Sequence, residues 1–162
     1  MKYLFTTACI AGSALAQSYN KHWGLFYGGG SGYVESYPYQ SDVAAAYLAC
    51  KTQAMQDDEM VYMAYDDIAH NDLNPLQGEM FNWPTANNAY NSVQLDYTGA
   101  NVTKEKFLAA LKGDAATAGG PVIGSDEDST VFIFISAPSS NKYQIDFPTG
   151  DPLLLNELNA AI

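Results

Sequence analysis

Short apolar runs, separated by polar and glycine-rich segments, divide the chain into alternating predicted strands and helices. Residues 23–27 form a short apolar run that ends at a glycine-rich turn. Residues 60–65 form a continuous apolar run before two aspartates, which is typical of a strand buried on both faces. Residues 131–135 give the strongest strand pattern, and residues 142–147 alternate enough for a short strand. The sequence therefore predicts four strands.

The segments between and after these strands favour helices. The three predicted helices cover residues 43–55, 104–111 and 153–162. Ser41 or Asp42 can cap the first helix and Thr103 the second, because their side-chain oxygens accept backbone N–H bonds. Gly113 ends the second helix in the left-handed conformation that glycine tolerates. Strands that alternate with helices predict an α/β fold with a mainly parallel sheet.

The loops that follow the predicted strands converge on one edge of such a sheet, where parallel sheets bind their ligands. That edge comprises residues 28–39, 66–67 and 136–141. Asp66 and Asp67 could bind calcium there or act as an acid pair. We instead interpret them as structural, with one of them accepting backbone N–H bonds from the loop that follows.

Residues 1–16 have the pattern of a secretory signal peptide. Lys2 supplies a positive charge, an apolar stretch follows, and Ala14-Leu15-Ala16 is a small-x-small cleavage site. We therefore expect a single domain over residues 17–162 in the secretory pathway, either vacuolar or lysosomal or extracellular. No later segment reaches the roughly 18 apolar residues of a membrane span, so we expect no membrane-spanning segment.

The charge of the predicted mature chain excludes one class of partner. Removal of Lys2 leaves 6 lysines and no arginine against 18 acidic residues, a net charge of −12. Such a surface repels phosphates, so we expect no nucleic-acid partner. His22 and His70 lack any zinc-type spacing, and we predict neither a metal nor a cofactor. Cys50 is the single cysteine after residue 16, so no internal disulfide is expected.

Ordered blocks between Lys21 and Pro148 resemble the legumain family of asparaginyl endopeptidases. The blocks are Lys21-His22-Trp23, residues 37–42, residues 63–69, Asn74-Pro75, residues 96–99, Val102-Thr103, residues 111–114, residues 131–134 and Phe147-Pro148. The Tyr-Asp-Asp-Ile-Ala and Asp-Tyr-Thr-Gly blocks are the most specific. The resemblance implies a caspase-like three-layer α/β fold whose C-terminal part is missing here. It also implies a cysteine nucleophile with a histidine partner, cleavage at Asn and activity in acid compartments.

The positions to which the resemblance assigns catalysis have changed in this chain. The family's histidine, in a Thr-Asp-His-Gly setting, corresponds to Pro138, and the glycine after it corresponds to Ser139. The family's nucleophile lies in a Glu-Ala-Cys setting on a later strand, and the sequence ends before that strand. Cys50 lies on a predicted helix, where a free cysteine behaves as a small buried hydrophobe. A cysteine protease needs an imidazole beside its thiol, and Pro138 supplies none.

The substrate positions implied by the resemblance have changed as well. The family's Asn-Tyr-Arg-His segment is matched by Ser36-Tyr37-Pro38-Tyr39. The catalytic Asn position therefore falls on Ser36, or on Glu35 because of an extra residue upstream. The Arg that helps recognise substrate Asn corresponds to Pro38, and the neighbouring His corresponds to Tyr39. We regard all of these positions as vestigial.

Two interpretations of the chain follow from these substitutions. The chain is either an inactive protease homologue that binds a peptide or protein through the old cleft, or a truncated product of a protease gene. Activity would require residues beyond Ile162, and Pro138 stands against it even then. The oligomeric state stays open. Asn101-Val102-Thr103 is a candidate N-glycosylation site, whose occupancy is open because Thr103 is also the predicted helix cap.

Overall fold

The computed structural model describes residues 21–83 and 87–162, and its core is a parallel sheet of three strands in the order β2-β1-β3. The strands are β1 (His22–Gly28), β2 (Met60–Ala64) and β3 (Thr130–Ser136). In register, Leu25 faces Val61 on one side and Ile133 on the other. The predicted mainly parallel sheet is confirmed. The predicted signal peptide lies outside the described residues.

The three strands differ in burial as their places in the sheet require. All five residues of β2 are buried, which confirms the prediction made from its continuous apolar run, and six of the seven residues of β1 are buried. No residue of β3 is fully buried, and Phe132 is 46% exposed. Within residues 21–83 and 87–162, β3 pairs only with β1. It is therefore an edge strand despite its apolar sequence.

Helices cover both faces of the sheet. Helix α1 (Tyr33–Thr52) packs Tyr47 against Phe26, with ring centroids 5.4 Å apart. Helices α2 (Lys104–Leu111) and α3 (Ala115–Ala118) lie on the other face, where Phe107 meets Tyr27 at 5.7 Å. Because successive residues of β1 point to opposite faces, Phe26 and Tyr27 belong to different layers. The predicted three-layer α/β fold is confirmed.

The predicted start of the first helix is wrong. Helix α1 begins at Tyr33, ten residues before the expected position, and neither Ser41 nor Asp42 caps it. Gly32 precedes the helix with a φ of +91°, a backbone conformation that favours glycine. Pro38 lies within α1 and is exposed. The Ser41 hydroxyl donates to the Pro38 carbonyl at 3.0 Å.

The second helix was predicted correctly. Helix α2 covers the expected residues, and the Thr103 hydroxyl oxygen accepts the Lys106 N–H at 3.2 Å. Gly113 follows with a φ of +74°. The short helix α3 was not predicted; the Asp114 carboxylate caps it by accepting the Thr117 N–H at 3.1 Å.

The C-terminal segment is less helical than expected. The short strand predicted over residues 142–147 narrows to β4 (Gln144–Ile145). It pairs antiparallel with β5 (Leu153–Leu154), where the sequence predicted the start of a helix. Helix α4 spans only Leu155–Asn159. The helix starts late because residues 153–154 pair with a strand about ten residues earlier, a contact that local helix propensity does not reveal. No helix in the described part of the chain combines the length and apolarity needed to cross a membrane.

The segment around Tyr97 runs beside the edge of β2 that does not pair with β1. The Tyr97 N–H donates to the Tyr62 carbonyl at 3.1 Å, and the Ala64 N–H donates to the Tyr97 carbonyl at 3.2 Å. The Asp96 carboxylate accepts the Tyr62 N–H at 2.8 Å. This segment satisfies backbone groups that an uncovered strand edge would leave unpaired.

Replacement of Pro38 by alanine should stabilise the domain. Proline cannot donate to the Val34 carbonyl one turn earlier, and a helix-interior proline costs about 3 kcal/mol. The entropy regained by the unfolded chain offsets about 0.4–1 kcal/mol of this gain. We therefore expect Pro38→Ala to raise the free energy of unfolding by about 2–2.6 kcal/mol in urea titrations. Val34→Ala, at an exposed position one turn away, should change it by less than about 0.5 kcal/mol. An unchanged or lower stability of Pro38→Ala would contradict this account.

The contribution of Asp96 to stability should fall as pH rises above about 4. Burial raises the pKa of Asp96 above its ordinary value, so the folded chain holds this proton more tightly than the unfolded chain. The Asp96 contribution to the free energy of unfolding then decreases from about pH 3.9 upwards through the folded-state pKa. Asp96→Asn keeps an oxygen acceptor for the Tyr62 N–H but cannot ionise. Its urea midpoint should decline less between about pH 4 and 7.

The control for this experiment is Leu95→Ala, which changes an exposed neighbour without removing an ionisable group. Its urea midpoint should follow the pH dependence of the unchanged chain. Parallel pH curves for Asp96→Asn and the unchanged chain would show that Asp96 does not contribute to this dependence.

Candidate functional site

The carboxyl ends of β1 and β3 are joined directly at one edge of the sheet. The Gly29 N–H donates to the Ser136 carbonyl at 2.8 Å. A Cβ atom on Gly29 would lie 2.4 Å from the Ala137 Cβ and 3.0 Å from the Pro138 Cδ. Because only a residue without a Cβ can come this close, the turn after β1 packs directly against the turn after β3.

Two of the predicted site positions meet at Gly30. Its φ is +81°, and a Cβ there would lie 2.4 Å from the Ser36 Oγ and 3.7 Å from the Pro138 Cδ. Ser36 is only 2% exposed, and its hydroxyl donates to the Ser31 carbonyl at 2.8 Å. The structure thus brings Ser36 and Pro138 close to one glycine. The hydroxyl of Ser36 serves the turn that starts α1, whereas Glu35, the alternative position, is exposed.

The remaining predicted positions lie around this point. Pro38 and Tyr39 are on the second turn of α1, with Pro38 exposed and Tyr39 half-buried. The Tyr39 carbonyl lies 3.4 Å from where a Cβ on Gly28 would be, which places this turn against the end of β1. The Ser139 Oγ lies 2.9 Å from the Gln144 carbonyl, so it stabilises the turn that leads to β4.

Asp67 connects the glycine-rich turn to the end of β2. Its carboxylate accepts the Gly32 N–H at 2.6 Å and the Gln40 side-chain N–H at 2.8 Å. The expectation that a backbone N–H of the following loop binds this pair is corrected, because the donor Gly32 lies in the turn before α1. That turn reaches Asp67 because β1 and β2 are adjacent parallel strands.

Asp66 has a different environment from its neighbour. It adopts a φ of +64°, and its carboxylate accepts the Tyr90 hydroxyl at 2.9 Å. Burial raises the pKa of Asp66, while the hydrogen bond from Tyr90 opposes that rise. Both carboxylates therefore have protein donors, which fits a structural interpretation.

Gln40 was not singled out from the sequence, although it organises this edge. It is 1% exposed. Its side-chain oxygen accepts the Asp66 N–H at 3.1 Å, and its nitrogen donates to Asp67. Gln40 lies inside the block over residues 37–42 that resembles the family, and this could have drawn attention to it. The sequence alone, however, does not show that a polar residue on a helix is buried.

An open cavity of about 310 Å³ adjoins these carboxylates and is lined by Asp66, Asp67, His70, Asn71 and Asp72. His70 packs edge-on against Tyr90 at 5.6 Å. In the described ranges, no group of three or more His, Cys, Asp or Glu side chains is arranged to hold a metal ion. The cavity offers hydrogen bonds and negative charge to a ligand.

The thiol of the described chain lies far from this edge. Cys50 is near the end of α1, fourteen residues after Ser36, which corresponds to roughly 20 Å along a helix. It packs beside the buried cluster that includes Phe26 and Met60. Burial raises the pKa of the Cys50 thiol, which disfavours the nucleophilic thiolate. His22, at the start of β1, lies at the opposite edge from Pro138.

Comparisons with known proteins agree with the arrangement of strands and loops. The chain matches the Peptidase C13 family over residues 22–162. It is 36% identical to human legumain over 146 residues, which cover 88% of this chain and 33% of the relative. It is 41% identical over 117 residues to vacuolar-processing enzyme beta-isozyme 1 of Oryza sativa subsp. japonica, covering 70% and 23% respectively.

A hemoglobinase gives a similar match. The chain is 38% identical to the hemoglobinase of Schistosoma mansoni over 117 residues, which cover 72% of this chain and 27% of the relative. The chain thus spans about a third or less of the length of these relatives. Matches of this extent and identity show that the chain belongs to the Peptidase C13 family, the family of legumain.

Proposed function

We propose that this chain is a Peptidase C13 homologue that holds an extended peptide at the carboxyl edge of its sheet without cleaving it. The observation that carries the proposal is Pro138, which packs beside Gly29 and Gly30 at the position the resemblance gives to the catalytic histidine. A proline ring nitrogen can neither take a proton from a thiol nor protonate a leaving amine. At this position the chain therefore lacks the general acid–base group that peptide cleavage requires.

The position of Cys50 supports the same proposal. A nucleophile has to lie within hydrogen-bond reach of its base, whereas Cys50 is roughly 20 Å along α1 from Ser36. The burial that raises its thiol pKa also keeps it in the less nucleophilic protonated form. Ser36, one of the two residues that could occupy the position of the family's catalytic Asn, uses its hydroxyl within the protein.

The edge keeps features that suit peptide binding. Its loops are fixed by backbone and buried side-chain hydrogen bonds, so the surface is preorganised and loses little entropy on binding. Val34 at the start of α1 is 72% exposed and offers an apolar contact. The carboxylates around the adjoining cavity favour a neutral or basic ligand over an acidic one. An uncharged peptide containing Asn is the first ligand to test.

A second candidate function is favoured by the edge of β3. The outer side of this apolar strand has no partner in residues 21–83 and 87–162, and Phe132 is 46% exposed. An open apolar edge invites pairing with another strand. The alternative is that the chain is part of a longer protease whose further strand pairs with β3 and carries the nucleophile. Sequencing the transcript past codon 162 tests this, since an in-frame Glu-Ala-Cys would favour it.

We also propose a location in the secretory pathway. The leader pattern of residues 1–16 supports it, as does the vacuolar-processing enzyme among the relatives. Fractionation of cells that produce the full chain tests the location. Recovery of the chain only from the cytosol would contradict it.

The purified chain should not cleave peptides. We expect no fluorescence release from a fluorogenic Ala-Ala-Asn peptide at acid pH above that of buffer, because Pro138 supplies no general acid or base. Cys50→Ala should behave identically, and active legumain run in parallel confirms the assay. Turnover that Cys50→Ala abolishes would refute the proposal.

Peptide binding should depend on the start of α1. We expect calorimetry to detect binding of a capped Ala-Ala-Asn-Ala peptide, and Tyr39→Ala to raise its Kd about tenfold, or ~1.4 kcal/mol, through loss of aromatic contact area. Thr52→Ala, at the other end of the same helix, is the matched control and should leave the Kd unchanged. Equal effects of both variants, or no binding by the unchanged chain, would count against this ligand site.

A further inference from the structure

We propose that Asn101 carries an N-linked glycan on the rim of the ligand-binding edge. Asn101-Val102-Thr103 is the only Asn-X-Ser/Thr sequence, with X other than proline, in the 162 residues. The inference is independent of peptide binding and requires only that the chain enters the secretory pathway.

The structure exposes the acceptor side chain. Asn101 ends the 3₁₀ turn Gly99–Asn101 and is exposed to solvent. Its side-chain oxygen accepts a hydrogen bond from the Lys106 Nζ at 2.8 Å. Its Nδ2 donates no hydrogen bond within residues 21–83 and 87–162. The atom that would bear the sugar is therefore not needed by the fold.

The attachment chemistry leaves the observed contacts intact. The Asn101 Nδ2 attacks the anomeric carbon of an oligosaccharide that is linked to a lipid through pyrophosphate. A C–N bond forms, the C–O bond to pyrophosphate breaks, and Nδ2 loses one proton. The amide oxygen is unchanged, so it can still accept from Lys106.

Thr103 has two roles that are separated in time. Its hydroxyl is part of the glycosylation sequence in the extended nascent chain. In the folded protein the same oxygen caps α2 by accepting the Lys106 N–H. Sugar transfer to a chain that has not yet formed α2 removes the conflict between the two roles.

The turn places the glycan beside the carboxyl edge of the sheet, where the candidate site lies. The Gly99 N–H donates to the Tyr65 carbonyl at 3.1 Å, so the turn lies at the carboxyl end of β2. Pro138 follows β3, on the other side of β1 in the strand order. The attachment point of a glycan at Asn101 therefore lies on the β2 side of the edge, away from the strand that Pro138 follows.

The experiment expresses the full chain in cultured eukaryotic cells, once with its own leader and once with the leader of a known secreted protein. Peptide N-glycosidase should increase the mobility of both products in a single step and convert Asn101 to aspartate, which mass spectrometry of the peptide detects. Asn101→Gln and Thr103→Asn should abolish the mobility shift. Thr103→Ser should retain it, because serine preserves the glycosylation sequence.

The variants separate glycosylation from folding. Thr103→Asn removes the glycosylation sequence but keeps a residue that caps helices well, so loss of the shift in this variant does not reflect loss of α2. Asn91→Gln, at an exposed asparagine outside any such sequence, should keep the glycan. An unmodified Asn101 in the chain with its own leader overturns the proposal. The version with the replaced leader then shows whether the site or the leader is responsible.

Discussion

A buried contact between Gln40 and Asp67 holds together the loops on which the candidate site is built. Gln40 is 1% exposed, and a buried amide must satisfy its hydrogen bonds inside the protein. It does so with the Asp67 carboxylate and the Asp66 N–H, while Asp67 also binds the Gly32 N–H at the start of α1. Loss of one partner would leave a buried polar group unpaired, at a cost of about 1–3 kcal/mol. The start of α1 and the end of β2 are thus positioned by one network.

Under the proposed function, this network keeps the fold intact while the side chains that would perform catalysis differ. The edge is shaped by backbone contacts, such as that of Gly29 with Ser136, and by buried amides and carboxylates. Pro138 contributes neither a hydrogen-bonded side chain nor a buried charge. Replacement of a histidine at such a position removes chemistry without removing a structural support. Sites are placed on folds in this way, and a family fold does not by itself establish an activity.

The sequence predicted those elements whose signals are local. Helix α2 was recognised because Thr103 and Gly113 mark its ends by short-range hydrogen bonding and backbone conformation. The start of α1 was missed because it depends on Asp67, which lies 35 residues after the Gly32 that it binds. The strand β5 was missed for a similar reason, since it forms only by pairing with β4. For the site, the sequence supplied candidate positions, but the packing of Ser36 and Pro138 beside Gly30 could be seen only in the folded chain.

The acidic composition and two partly buried carboxylates both affect how the stability of the protein depends on pH. A net charge of −11 for the whole sequence produces self-repulsion at neutral pH that protonation relieves. Burial also raises the pKa values of Asp66 and Asp96, so the folded chain takes up their protons more readily than the unfolded chain as pH falls. Both effects favour the folded state under mildly acid conditions. The lowered pKa values of the hydrogen-bonded carboxylates of Asp57, Asp114, Asp126 and Glu157 act in the opposite direction. The pH dependence of stability is therefore a balance between these two sets of carboxylates, in which Asp66 and Asp96 favour an acid compartment of the secretory pathway.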